Sequence, residues 1–142
     1  MNESPPKPLP ICTVSVAFNG AKRLTQFQGA CNQLHGYQHW VEVSLQGDLV
    51  DNKVIDFNEM KDKLATWLDD HWDHTVILHE DDKILGEAIA KKTGQIIYYT
   101  PSDPTAEYMA GFIKYELCPT LFPNVSCIKV RLFDTEDAWV EA

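Results

Sequence analysis

Apolar and polar residues alternate along Ile11–Phe18, with Cys12, Val14, Val16 and Phe18 on one side and Thr13, Ser15 and Ala17 on the other. A period of two places successive side chains on opposite faces of a strand, so this segment is predicted to be half-buried β structure. A second strand is predicted from about Gly36 to Leu45, where Val41, Val43 and Leu45 continue the face of His35, Tyr37 and His39. Between the two, residues 19–34 include Gly20, Gly29 and Asn32, show no clear period and read as a long loop. Gly47-Asp48 begins a turn, and the chain returns through Lys53-Val54-Ile55.

The period then changes to that of a helix. Asp56 followed by Glu59 has the spacing of a capping box, with Asp in the cap role. Met60, Leu64, Trp67 and Leu68 follow at helical spacing and predict one apolar stripe, ending near Asp70. A shorter helix is predicted from Asp82 to Lys92 with Ile84, Leu85 and Ile89, closed by Gly94. Ile96–Thr100 reads as a short strand. A third helix starts at Pro104 or Thr105, carries Met109, Phe112, Ile113 and Leu117, and is predicted to close at Pro119. The last strand, Val125–Phe133, sets Ile128, Val130 and Leu132 on one side. Residues 1–10, Pro-rich and polar, read as a flexible arm before one domain spanning 11–142. This order predicts an α+β fold, an antiparallel four-stranded sheet with helices on one face. Its two open edges are of the kind that oligomerisation closes.

Charge narrows the function. Twelve Lys and Arg against 21 Asp and Glu give a net charge of −9. Nucleic-acid binding depends on neutralising phosphates with basic side chains, so neither nucleic acid nor an anionic membrane surface is an expected partner. The hydrophobic content of 44% suits a packed core rather than disorder. No apolar run is long enough to span a bilayer and the first residues lack a signal-peptide core, so the expected location is cytoplasmic. Cys12, Cys31, Cys118 and Cys127 form no CxxC pair and are expected to be free thiols.

Three clusters can carry chemistry. Cys31-Asn-Gln-Leu-His35-Gly-Tyr37-Gln-His39 brings a thiol and imidazoles near one strand mouth, which suits a thiolate nucleophile or base if they meet in space. A structural cysteine beside a solvent-facing histidine fits the same letters. Asp69-Asp70-His71-Trp72-Asp73-His74 sets carboxylates beside imidazoles, where an Asp can fix a histidine tautomer or simply solvate a helix end. Asp134-Thr135 ends an apolar strand, as either a site carboxylate or a turn residue.

Taken in order, these segments resemble the 6-pyruvoyl-tetrahydropterin and 6-carboxytetrahydropterin synthase family. Phe18-Asn-Gly-Ala-Lys22-Arg-Leu stands for the family's F-x-A-x-H-R-L, Cys31-Asn-Gln-Leu-His35-Gly-Tyr37 for C-x-x-L-H-G-H, and Val54-Ile-Asp56-Phe57 for V-x-D-F. Trp72-Asp73-His74 stands for L-D-H, Pro104-Thr105-Ala-Glu107 for P-T-x-E, and Phe133-Asp134-Thr135 for the segment with an E-T dipeptide, with Trp139 behind it. The resemblance implies a ββααββ tunnelling-fold subunit that assembles as a barrel of trimers or hexamers. It implies a lyase acting on 7,8-dihydroneopterin triphosphate, with a pterin as ligand. Leu78-His-Glu-Asp-Asp82 is similar to a segment of the branch that serves queuosine synthesis. Carried over by position, Cys31 is the catalytic base and Asp73 with His74, from a neighbouring subunit, its partners. Asp134 is the pterin anchor, a carboxylate one methylene shorter than the family's Glu, with Thr105 and Glu107 beside it.

The departure lies in the metal site. The family holds zinc with three histidines, and only His35 is retained; the other two positions are Lys22 and Tyr37. Zinc takes three protein ligands at about 2 Å with a fourth position open. A protonated Lys has no lone pair to give, and Tyr ligates only as a phenolate. His39 lies about 13 Å from His35 along an ideal strand, so rescue by His39 or His71 requires a local bulge. No cofactor is therefore expected, and zinc only if the site is rescued. Lys22 either supplies positive charge to a substrate in the metal's place or pairs with a nearby carboxylate. Two functions remain open: a pterin-handling lyase with a degenerate zinc site, or a catalytically inactive member that binds a pterin-like ligand or serves as an oligomeric module.

Overall fold

The computed structural model describes residues 3–142, so Met1 and Asn2 of the predicted arm lie outside the described residues. Six strands form one sheet: β1 (Ile11–Lys22), β2 (His35–Gln46), β3 (Thr75–His79), β4 (Ile97–Thr100), β5 (Ser126–Thr135) and β6 (Ala138–Glu141). Their order is β4-β3-β1-β2-β5-β6. β1 and β2 pair antiparallel along their whole length, from Ile11 opposite Gln46 to Lys22 opposite His35. β5 and β6 extend that antiparallel half. On the other edge β3 runs parallel to the end of β1, through Gly20–Lys22, and β4 runs parallel to β3.

The sheet is thus six-stranded and mixed, which corrects the four-stranded antiparallel expectation. β3 is the reason. Its five residues are all buried, so they show no inside–outside alternation that would mark a strand in the sequence. Helix α2 (Lys83–Thr93) connects β3 to β4, and parallel neighbours need such a crossover. β1 also runs four residues further than the alternation suggested, because Asn19–Lys22 find partners on both sides.

Helix α1 (Phe57–His71) starts as predicted: the Asp56 carboxylate accepts the Asn58 and Glu59 N–H groups at 2.8 and 3.3 Å. Met60, Leu64 and Leu68 are fully buried against Val14, Phe18, Val41, Val43 and Leu45 of the sheet. Each such side chain contributes on the order of 2 kcal/mol of burial free energy. Helix α3 (Ala106–Phe112) is capped by the Thr105 hydroxyl, which accepts the Tyr108 N–H at 3.1 Å. It does not close at Pro119. A wide π turn, Ile113–Leu117, leads into a further helical turn, α4 (Cys118–Leu121), with Pro119 near its start. A widened turn re-routes the backbone bonds, so proline's missing N–H costs little there. Among the described residues no helix is long and apolar enough to cross a membrane.

Gly86 lets α2 lie on β4. A Cβ built there would meet the Tyr99 hydroxyl at 2.2 Å and its ring at 2.9 Å. Gly86→Ala is expected to lower stability by about 1–3 kcal/mol, although Ala favours helix by about 1 kcal/mol. In a Tyr99→Ala background the same change is expected to be neutral or stabilising. Urea unfolding of the four proteins checks this, and equal effects in both backgrounds would refute it.

Candidate active site

The strand register decides which site residues share a face. Cross-strand partners point the same way, so Lys22 with His35, Gly20 with Tyr37 and Phe18 with His39 all face the helix side of the sheet. Lys22 is 2% exposed, an unusual place for an ammonium. Its Nζ donates to Asp134 Oδ1 at 2.7 Å, an ion pair joining β1 to β5. The Asp134 side chain is 34% exposed, so its second oxygen remains available to solvent or ligand.

His39 lies next to this pair. Its Nδ1–H donates to the Phe133 carbonyl at 3.2 Å, with Asp134 Oδ1 3.8 Å away. Burial, then the Lys22 charge, lower its pKa below the ordinary value, against a smaller opposing pull from Asp134. His35 donates Nδ1–H to the Gln33 carbonyl at 2.6 Å and meets the Tyr37 ring edge-on at 5.4 Å.

Lys22, His35 and Tyr37 do not fit a zinc ion. The ammonium has no lone pair and is committed to Asp134, and a tyrosine ligates only as a phenolate. Among the described residues no cluster of three or more His, Cys, Asp or Glu is placed to hold a metal ion. His39 has one ring nitrogen bound to Phe133 O, and His71 has Nδ1 on Trp67 O at 2.8 Å while stacking on the Trp67 ring.

Asp73 and His74 form a true pair. Asp73 Oδ2 accepts the His74 Nδ1–H at 2.7 Å, which leaves Nε2 with the lone pair of a base. Neighbours in sequence seldom meet like this. Here His74 adopts a left-handed backbone (φ 55°), which His tolerates better than bulky residues. Both residues are tied to β1: Asn19 N–H donates to Asp73 Oδ1 at 2.8 Å, and His74 N–H donates to the Asn19 carbonyl at 2.6 Å. Burial pushes the Asp73 carboxyl up, but the Asn19 N–H and the His74 ring outweigh it and hold the pKa below its usual value. The His74 side chain is 79% exposed and opens on a cleft of about 340 Å³ shared with Tyr37, Gln38, Asn19, Thr75 and Gln95.

The other candidates stand apart within one chain. Cys31 is exposed in a 3₁₀ turn, Ala30–Asn32, with no bond to Asp73 or His74. Glu107 is exposed in the first turn of α3 and forms no ion pair among the described residues, and Thr105 is engaged in the cap. Asn19 and Gln95, whose amide donates to the His74 carbonyl at 3.0 Å, were not foreseen. Asn19 was legible only as the residue after a strand, and its role depends on β3 arriving beside it.

The comparisons with known proteins follow this geometry. The profile of the 6-pyruvoyl tetrahydropterin synthase family matches residues 11–142. The 6-carboxy-5,6,7,8-tetrahydropterin synthase of Rickettsia conorii is 37% identical over 134 residues, covering 92% of this chain and 97% of the relative. The Haemophilus influenzae protein of the same name is 26% identical over 132 residues, covering 88% and 92%. Among solved structures, the 6-pyruvoyl tetrahydropterin synthase of Plasmodium vivax superposes with a TM-score of 0.68 at 19% identity, covering 94% of this chain and 97% of that one. An uncharacterized protein from Wolinella succinogenes gives 0.75 at 18%, covering 93% and 97%. At such identities the structures speak for the fold alone.

Two outcomes are expected from this electrostatics. Asp134→Ala strands the buried Lys22 ammonium and is expected to cost about 3 kcal/mol. Lys22→Met leaves a half-solvated carboxylate and is expected to cost clearly less; equal losses in chemical unfolding would refute the asymmetry. For His39, the unfolded chain takes up a proton near pH 6.5, while the folded group does so only at lower pH. Stability therefore falls as pH drops through that window and stops falling below the folded pKa. His39→Asn, which keeps an N–H for the Phe133 carbonyl, is expected to flatten part of the dependence of the unfolding midpoint between about pH 5 and pH 7.

Proposed function

The chain belongs to the 6-pyruvoyl tetrahydropterin synthase family, and from this we propose that it is a tetrahydropterin synthase acting as a carbon–oxygen lyase on 7,8-dihydroneopterin triphosphate. The product class is that named for its Rickettsia relatives, a 6-carboxytetrahydropterin. The observation that carries the reading is the Asp73–His74 pair. It is fixed by two bonds to Asn19, and the exposed His74 side chain lines an open surface depression. An oriented imidazole with a bound carboxylate is a proton-transfer device, and eliminating triphosphate while remodelling the C6 side chain requires protons to be moved.

Cys31 is the base in this scheme, and Asp73 with His74 of a neighbouring copy complete it. Their separation within one chain favours a site shared between subunits. The free edges of β4 and β6, and Trp139 exposed against Phe133 on β6, support self-association as a trimer or hexamer. Asp134 offers its second oxygen to the pterin's guanidine-like edge, with Glu107 and Thr105 on the neighbouring helix start.

The reaction runs without zinc at the Lys22–His35–Tyr37 position. Where the family's resident metal would supply Lewis-acid charge, this chain sets an ammonium held by Asp134. An ammonium offers charge and N–H donors but no vacant coordination position.

The test is turnover of 7,8-dihydroneopterin triphosphate by the purified protein. Release of triphosphate that survives a strong chelator, and that Cys31→Ala lowers by about 10²-fold or more, is expected. Elemental analysis is expected to find far less than one zinc per subunit. One zinc per subunit with chelator-sensitive activity would overturn the metal-free reading. Pterin binding without turnover would assign the chain to the inactive branch of the family.

A further inference from the structure

The loop that carries Cys31 has no apolar anchor. Residues 23–34 leave the end of β1 and return to β2, and none of them joins the hydrophobic core or packs against it. Burial therefore cannot set the position of Cys31, and polar bonds must do so. Within the loop, Leu24 N–H donates to the Cys31 carbonyl at 2.8 Å, and the Asn32 side-chain amide donates to the Phe27 carbonyl at 2.9 Å. These bonds close the loop on itself without attaching it to the fold.

The best-aligned attachment to a distant segment is one carboxylate. Asp103, 7% exposed, accepts the Thr25 N–H at 3.0 Å and the Thr25 hydroxyl at 2.7 Å on Oδ1, and the Gln26 N–H at 3.0 Å on Oδ2. Burial works against the charge on Asp103, but the three donors outweigh it and hold the carboxyl below its ordinary pKa. Thr25 adjoins Leu24, so the anchor sits next to the residue bonded to Cys31. Asp103 is itself held: its carbonyl accepts the Thr105 N–H at 2.8 Å, and Thr105 caps α3. A second link, Arg23 Nε to Asp82 Oδ2 at 3.1 Å, lies at the same end of the loop, where it leaves β1, without hydrogen-bond alignment.

We infer that Asp103 is a positioning residue for Cys31, fixing the thiol's loop against the start of α3 through the Thr25–Gln26 backbone. It touches no reacting atom. The anchoring stands on geometry alone, and only its consequence for turnover rests on the reading of Cys31 as the catalytic base. The same carboxylate ties the Cys31 loop to the helix turn that carries Glu107, so it sets the distance between two parts of the proposed pocket.

The test compares Asp103→Asn, Asp103→Ala and Thr25→Val with the wild-type protein at a temperature where all are folded. Hydrogen exchange at the Thr25 and Gln26 amides, and alkylation of Cys31 by iodoacetamide followed by mass spectrometry, are both expected to accelerate about tenfold or more in Asp103→Ala. Asp103→Asn retains one acceptor oxygen and is expected to be intermediate. Thr25→Val deletes one donor of three and is expected to be mildest, which keeps the comparison usable if Asp103→Ala does not fold. On 7,8-dihydroneopterin triphosphate, kcat is expected to fall by on the order of 10- to 100-fold with KM little changed. Wild-type exchange and alkylation rates in Asp103→Asn and Thr25→Val would overturn the inference, as would activity lost only in proportion to the unfolded fraction. If the wild-type protein turns nothing over, the lyase reading fails while exchange and alkylation still decide the anchoring.

Discussion

Strand β1 constrains everything built around it. Along its whole length it pairs antiparallel with β2, and through Gly20–Lys22 it also pairs parallel with β3, so it is the seam between the two halves of the sheet. One face of it supplies Val14 and Phe18 to the core beneath α1. Its end does three further things: Asn19 holds both members of the Asp73–His74 pair, Gly20 passes within 3.2 Å (built Cβ) of the Trp72 carbonyl, and Lys22 reaches Asp134. A slip of one residue would turn Lys22, like Val14 and Phe18, to the opposite face and would move the Asn19 backbone groups away from Asp73 and His74. The hydrophobic register that buries Val14 and Phe18 is therefore also what sets the site.

The Lys22–Asp134 pair is the polar counterpart of that constraint. A buried ammonium needs a partner that compensates for lost hydration, and a carboxylate at 2.7 Å with 34% side-chain exposure does so while remaining partly wet. The pair changes its surroundings. Burial and then the Lys22 charge lower the His39 pKa and favour the neutral ring, which packs between Phe18 and Tyr37 and donates to the Phe133 carbonyl. This face of β1, β2 and β5 thus sets an ion pair, a donor histidine and a phenol side by side.

Much of the fold was legible because periodicity reports burial. The Asp56 cap, the Met60–Leu64–Leu68 stripe, the Val14–Phe18 face and the Gly94 terminus (φ 70°) all stand where the letters placed them. Where the pattern was uninformative, so was the reading. β3 is buried on every residue and has no alternation, β6 is four residues long, and Ile84, an apolar residue of the second helix, is 88% exposed. Pro119 looked like a terminator because no local signal announces the π turn that accommodates it. The site divides in the same way. Asp73-His74 is local and was visible as a pair, whereas Lys22 and Asp134 are 112 residues apart, and Asp103 lies 78 residues from Thr25.

The sequence by itself determined the family, the inward face of β1, β2 and α1, and the acidic charge. Those follow from residue identity and short-range spacing, which fold formation does not alter. Only the tertiary structure decided that Lys22 is buried against Asp134, that His74 is oriented by Asp73 against Asn19, and that the Cys31 loop is bonded to Asp103. Each of these is a hydrogen bond or ion pair between distant segments. Its strength depends on distance and burial, which exist only once the strands have met.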